Sequence, residues 1–410
     1  MDDTVSRQVV IAGAGIGGLT AALAFAERGY TVRIFERTSR IEAAGAGIQL
    51  SPNATHILDR LGVLGRLLPA SVQPRAVVLK DARSLHALAK VPLGESGLRR
   101  WKAPYLVAHR GDLQGALMAS IAHIPEIQLV TGARVDGLVA HPRGITASVR
   151  IDGKAEEIAC FLLIGADGVW STIRGLRTGA AKSKFTGELA WRAVISAESQ
   201  AGSAFAKIAA SDCVTTFLHP GFHLVAYPMR GGAAFNLVAF TKGELIAEGW
   251  SGIANGAILS RALRDTAPAL ARLAEDAGPW TAWPVHTVDR SHPWTSSNGI
   301  ALIGDAAHAL TPFAAQGAAM AVEDATTLAA HVAESPADLP GALASWEKSR
   351  KDRIAKVARR GSLNHLAWHA TGPVALARNL LLKLRPPEKL AADLDWLYGW
   401  RPPEEKIGRW

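Results

Sequence analysis

The chain has 410 residues, with 45 Lys and Arg against 36 Asp and Glu, a formal net charge of +9. Hydrophobic residues make up 49% and charged residues 20%, which excludes a disordered chain; the length excludes a mini-protein held by disulfides or metal. Cys160 and Cys213 stand far apart and outside any Cys-x-x-Cys or Cys/His cluster, so neither a disulfide framework nor a zinc site is expected, and a reducing, cytoplasmic setting is.

The chain opens on a βαβ unit. Residues 8–12 read as a buried parallel strand, 16–28 as an Ala- and Leu-rich helix closed by Gly29, and 31–35 as a second strand ending at Glu36. Val9 to Ala26 is also an uncharged run of 18 residues, near the lower limit of about 17–25 for a membrane span. The glycines inside it favour a buried strand-to-helix corner, so no stable membrane association is expected. Residues 53–68 carry leucines and isoleucine at helical spacing, and 76–80 and 85–89 read as strands of a different sheet. A helix is expected over 112–123 with Asp112 as its cap. Strand-like runs over 128–149 are broken by Gly132, Gly137 and Gly144, and 158–164 is an apolar strand leading into Gly165-Ala166-Asp167-Gly168.

From about 185 the pattern changes to short alternating strands, at 189–196, 213–218, 222–229 and 233–240, with turns at His219-Pro220-Gly221 and Arg230-Gly231-Gly232. This predicts an antiparallel sheet and a second lobe. A helical pattern follows over 256–276, then a buried strand at 299–303, a long helix from about Gln316 to Val332 and a mostly helical C-terminus. The basic run Arg350, Lys351, Arg353, Lys356, Arg359 and Arg360 is expected to form a solvated helix face. The fold expected is α/β: a Rossmann-like dinucleotide-binding domain, an inserted mainly antiparallel sheet domain and C-terminal helices. Its segments would be 1–75, 100–183 and 285–345 for the first, 76–99 and 184–284 for the second, and 346–410 for the helices.

Gly13-Ala14-Gly15-Ile16-Gly17-Gly18 is a G-x-G-x-x-G between a strand and a helix, with Glu36 18 residues beyond Gly18. Glycines there let the backbone turn tightly and approach a pyrophosphate at the helix N-terminus, and the carboxylate suits ribose hydroxyls. The positive net charge suits a polyanionic dinucleotide; nucleic acid is not expected, because no recognition motif accompanies the charge. On strand 222–229, His223, Val225 and Tyr227 share one face and Phe222, Leu224 and Ala226 the other. A buried histidine and tyrosine need partners, and such a pair can move a proton and hold an acid or a hydroxyl. Arg192 is open to two readings, a pair with a substrate carboxylate or a buried salt bridge between lobes.

Two later runs, Gly165-Ala166-Asp167-Gly168 through Arg174 and Gly304-Asp305-Ala306-Ala307-His308 followed by Pro312 and Gln316-Gly317, complete a three-motif set. With His109-Arg110-Gly111-Asp112-Leu113, His223-Leu-Val-Ala-Tyr227-Pro228 and the closing Asp395–Trp400 run, the chain resembles the group A FAD-dependent aromatic hydroxylases, of the salicylate, 3-hydroxybenzoate and 6-hydroxynicotinate hydroxylase type. One departure is Ala309, where that family usually has proline.

The resemblance implies FAD as cofactor, NADH or NADPH as co-substrate, and O2 taken up as a flavin C4a-hydroperoxide that hydroxylates a small aromatic substrate. It places Gly13, Ala14, Gly15, Ile16, Gly17, Gly18, Glu36, Arg37, Gly47, Arg110, Val135, Asp167, Gly304, Asp305, Gln316, Gly317 and Ala318 at the cofactor. Gly45–Asn53 borders the isoalloxazine, with Gln49 toward substrate beside Arg192 and Phe313, and His223 and Tyr227 activate the ring. A monomer or homodimer is expected. An epoxidase or urate-type hydroxylase on a non-phenolic ring, a dehydrogenase carrying the first motif only, and a non-catalytic flavin protein are the other readings.

Overall fold

Val9, Val10 and Ile11 are fully buried, and their strand, Gln8–Ala12, lies at the centre of a six-stranded sheet. The computed structural model describes residues 7–41, 47–141, 144–177, 180–245, 252–253 and 256–403. In that sheet the spatial order is 295–296, 300–302, 162–165, 8–12, 31–36, 127–131. All pairings are parallel except that of the edge strand Thr295–Ser296. Parallel strands need covering on both faces. The helix Ile16–Ala26 is apolar nearly all round and supplies part of that cover, packed on the helix Gly317–Glu334. Gly17 sets their approach, since a Cβ there would already touch the Ala321 Cβ at 3.4 Å.

The second lobe is an eight-stranded sheet in the order 252–253, 281–288, 183–196, 234–242, 222–229, 214–219, 76–81, 87–92. Its pairs are antiparallel apart from 214–219 against 76–81. One face carries a second hydrophobic core, in which Trp191, Phe217, Phe222, Leu224 and Phe235 pack with the helices Gln200–Ile208 and Pro268–Asp276. The other face looks back toward the dinucleotide lobe. A three-stranded sheet (154–160, 144–151, 133–141) and a two-stranded one (47–50 with 106–109) complete the β-structure among the described residues.

Several expectations change. The helix read over 53–68 breaks into Pro52–Arg60 and Leu64–Leu67, because Gly62 turns into positive φ at +69°. The apolar run 158–164 is two strands: Lys154–Cys160 belongs to the three-stranded sheet and Leu162–Gly165 to the main one. Burial without alternation could not show that junction. The 256–276 pattern is two helices, Ala257–Ala262 and Pro268–Asp276. The helix after the strand Leu106–His109 begins at Arg110, and its cap is His109, whose Nδ1 accepts from the Gly111 N–H at 3.1 Å, not Asp112. The strand Thr281–Val288 runs across position 285 and pairs with 183–196 as far as Val288, so the antiparallel sheet extends past the segment boundary drawn there. The helix Gln200–Ile208, capped by the Ser199 hydroxyl, is an element beyond those expected between the strands 189–196 and 213–218. No described helix is long and apolar enough to cross a membrane.

The basic run on the helix Leu339–Trp368 is solvated only in part: Lys356 and Arg359 are exposed, but Arg350 and Arg353 turn inward. Arg350 and Arg353 are 2% and 8% exposed and bind Glu323 and Asp324, both fully buried. Asp324 also accepts from the Gly304 N–H and binds the His308 Nε2 at 2.6 Å. These charges fasten the C-terminal helix to the Gly304–His308 turn. Buried charges persist only when paired and hydrogen-bonded, and a helical wheel read without its partner cannot reveal that.

Candidate active site

The glycine-rich corner is shaped by contacts that exclude side chains. Gly13 has φ +104°, and a Cβ on it would stand 2.6 Å from the Ala166 carbonyl oxygen; one on Gly18 would stand 2.0 Å from the Gly13 oxygen. At Gly15 the nearest atom to such a Cβ is 4.0 Å away, so the space above it is open. That open space lies at the N-terminus of the helix Ile16–Ala26, the electropositive end. Glu36 sits beside it, its carboxylate accepting from the Ala14 N–H at 2.9 Å and from Thr38. Donor-lined backbone, open room and an adjacent carboxylate fit a dinucleotide such as FAD. Arg37 is exposed just beyond, and Val135 is buried at a bulge in the three-stranded sheet. Asp167 turns one oxygen to the Thr172 and Ile173 N–H groups at 2.6 and 3.1 Å, capping a short helix, while its other oxygen is buried without a partner.

A cavity of about 540 Å³ lies between this lobe and the inner face of the eight-stranded sheet. On the dinucleotide side it meets Gly47, Gln49, Arg110, Asp305 and the run Gln316-Gly317-Ala318. Gly45, within the loop compared with the isoalloxazine border, and Ala46 lie outside the described residues; Gly47 and Gln49 belong to the strand Gly47–Leu50. Gly304, at φ +58°, turns the chain so that the exposed Asp305 heads the short helix Asp305–His308 at the cavity wall. The Gln316 side chain is engaged elsewhere, donating to the Ser51 hydroxyl at 2.9 Å and accepting from Asn53. What this run offers the cavity is the backbone at the start of the helix Gly317–Glu334. Gln49 accepts from the Tyr105 hydroxyl at 2.7 Å.

On the sheet side, His223, Val225 and Tyr227 face the cavity, while Phe222, Leu224 and Ala226 belong to the second core. Tyr227 lies so close to the Gly47 backbone that a Cβ on that glycine would meet its hydroxyl at 2.7 Å. Burial raises the Tyr227 phenol above its ordinary value, so it stays protonated. His223 is 1% exposed and stacks on Phe240 with ring centroids 4.6 Å apart. Phe313 crosses it at 5.3 Å, forming part of the same wall. Its Nδ1 lies 3.3 Å from the His369 Nε2. Burial, then the neighbouring His369 and His365, hold His223 well below the usual imidazole range, so it is neutral.

Arg192 enters the cavity beside these residues. Trp283 covers its guanidinium at 5.2 Å, and its Nε is buried without a hydrogen-bond partner. No carboxylate pairs with it among the described residues, so it does not make the inter-lobe salt bridge that was the alternative. Burial, with a contribution from Arg110, lowers its pKa below the ordinary arginine value. A half-buried cation whose Nε has no partner and no anion beside it is costly, and this one faces a cavity large enough for a small molecule.

Sequence reasoning missed three lining residues, Trp283, Tyr105 and Trp368, and His369, which stands behind His223. His365 and His369 stand four apart, a helical spacing that a search for histidine pairs could have found.

Comparison with known proteins agrees with this arrangement. Residues 6–361 match the FAD binding domain family. The 3-hydroxybenzoate 6-hydroxylase of Polaromonas naphthalenivorans (strain CJ2) is 32% identical over 97% of this chain and 97% of its own. A solved salicylate hydroxylase substrate complex superposes with a TM-score of 0.81, at 21% identity and 97% coverage of both chains. Klebsiella pneumoniae HpxO complexed with FAD and uric acid superposes with a TM-score of 0.82, at 23% identity and 96% coverage of both. The chain belongs to the FAD binding domain family and is an FAD-dependent aromatic monooxygenase of the group A type.

Proposed function

We propose that this enzyme hydroxylates a small aromatic acid bearing an ionisable ring hydroxyl, using NADH or NADPH and O2. The observation that carries the reading is the pairing, in one cavity beside the dinucleotide cradle, of an unpartnered cation, Arg192, with a neutral buried histidine, His223. Arg192 takes the substrate carboxylate in a charge-assisted pair. His223 accepts the ring hydroxyl proton, which makes the ring electron-rich. Tyr227, protonated, donates a hydrogen bond to the acid or the hydroxyl, Gln49 and Phe313 border the ring, and Trp283 holds the guanidinium in place. The similarity to a 3-hydroxybenzoate 6-hydroxylase supports a hydroxybenzoate-like substrate.

FAD, when bound, supplies the oxygen activation that the side chains cannot. The Gly13–Gly18 corner, including Ala14 and Ile16, would hold the pyrophosphate, and Glu36 the ribose. Arg110 and Asp305 would hold the phosphate and ribityl region, and the N–H groups of Gln316, Gly317 and Ala318 the flavin edge. Arg37, Gly47, Val135, Asp167 and Gly304 flank that path.

The test is NADH and NADPH oxidation by the purified holoenzyme with 3-hydroxybenzoate, benzoate, phenol and uric acid, with peroxide and organic product measured together. The reading expects 3-hydroxybenzoate alone to speed oxidation and return as a dihydroxybenzoate. Turnover of uric acid instead would favour the non-phenolic alternative, in which His223 need not act as a base.

A further inference from the structure

His223 does not stand alone. Behind it, at the end of the helix Leu339–Trp368, His369 presents its Nε2 to the His223 Nδ1 at 3.3 Å. The Nδ1 of His369 lies 2.9 Å from the His365 carbonyl oxygen. A carbonyl only accepts, so the His369 Nδ1 carries a hydrogen. Burial first, then the His365 charge, lowers the His369 pKa to about 4, so the ring is neutral near pH 7 and its Nε2 is an acceptor. The shared hydrogen therefore sits on the His223 Nδ1. It follows that the His223 Nε2, which has no hydrogen-bond partner among the described residues, carries a lone pair.

We propose that His369 is the positioning residue and proton exit of this site. It fixes His223 in the tautomer with a free Nε2, and it passes to solvent the proton that His223 removes from the substrate hydroxyl. The inference rests on the hydroxylase reading above. As the substrate O–H bond breaks, an N–H bond forms at the His223 Nε2. The His223 Nδ1–H bond breaks and one forms at the His369 Nε2, and that proton leaves to water. When the ring hydroxyl is restored in the product, the same transfers run backward and return both tautomers. His223 is 1% exposed and has no other hydrogen bond that leads to solvent among the described residues, whereas His369 is half-buried. The exit is framed by His365, whose Nε2 binds the Glu188 carboxylate at 3.1 Å, and by Lys242 and His219, which disfavour a lasting charge on His369. On the cavity side the charged groups are Arg192, Arg110, Arg360 and Asp305. A relay rather than a resting cation fits this surrounding.

Two measurements test it. The first uses holoenzyme labelled with 15N-histidine and needs no substrate: long-range proton–nitrogen correlations should show His223 and His369 both protonated at Nδ1. A His223 protonated at Nε2 would overturn the positioning. The second compares proton release on mixing holoenzyme with 3-hydroxybenzoate, read by an indicator dye, in the wild type, His369→Gln and His369→Ala. Glutamine can accept from the His223 Nδ1 but cannot carry a proton. His369→Gln should keep the His223 tautomer and the affinity yet release the proton about 100-fold more slowly, the scale of lost acid–base assistance. His369→Ala should be as slow, with 4-methylimidazole restoring the rate. Release by His369→Gln at the wild-type rate would overturn the relay. A wild-type holoenzyme that leaves 3-hydroxybenzoate unchanged counts against the hydroxylase reading, and the nitrogen shifts still decide the positioning.

Discussion

Replacing Arg192 by methionine should separate binding from stability in opposite directions. Its guanidinium is stacked on Trp283 at 5.2 Å, has a buried unpartnered Nε and faces the cavity with no protein carboxylate beside it. A carboxylate at about 4 Å in an effective dielectric of about 20 gains about 4 kcal/mol. Desolvating that carboxylate offsets part of this, leaving about 3 kcal/mol, or about 100-fold in Kd. Because the cation has no protein partner to strand, Arg192→Met should leave the urea midpoint unchanged or higher. The assay is flavin-absorbance titration of holoenzyme with 3-hydroxybenzoate and with phenol, which lacks the acid. The first should weaken about 100-fold and the second hardly at all. Equal weakening of both, or none of either, would refute the assignment of Arg192 to the substrate acid.

The two glycines of the cradle should fail differently: Gly18→Ala, whose Cβ would stand 2.0 Å from a backbone oxygen, should lower both the melting temperature and the flavin content, while Gly15→Ala should melt normally and lose FAD affinity, as the ratio of flavin to protein absorbance will show. Arg350→Met removes one cation from the buried Glu323 and Asp324, which keep Arg353 and His308, and should lower urea-measured stability by about 3 kcal/mol, the low end for a broken buried pair. Acid should act through the same cluster. Burial alone would raise the Asp324 carboxyl, but His308 and Arg350 bring it down to about 2. A depressed carboxylate contributes stability above its unfolded pKa that is lost as pH falls through the folded one. Stability should therefore drop between about pH 4 and pH 2, more gently in Asp324→Asn, as circular dichroism against pH will measure.

The parts legible in the sequence are those written in local pattern. The opening βαβ corner was legible because glycine spacing, a buried strand and Glu36 all fall within one short stretch. The face shared by His223 and Tyr227 was legible because alternation on a strand is a period of two. What was hidden depends on contacts distant in sequence. The Arg350–Asp324 pairing spans two helices, so the basic run read as a solvated face. His369 meets His223 across 146 residues, and Trp283 meets Arg192 only because their two strands are adjacent in the sheet. The junction at Phe161 was invisible because the residues on either side of it, 158–160 and 162–164, are apolar and a single residue separates the two strands.

In the proposed reaction this enzyme places an oxygen atom from O2 on an aromatic acid. Turnover of 3-hydroxybenzoate by the purified yellow holoenzyme under 18O2, with the product weighed by mass spectrometry, tests that most directly. One heavy oxygen in a dihydroxybenzoate, formed in step with NAD(P)H consumed, is the predicted result. Unchanged 3-hydroxybenzoate, with all the consumed NAD(P)H recovered as peroxide, would contradict it.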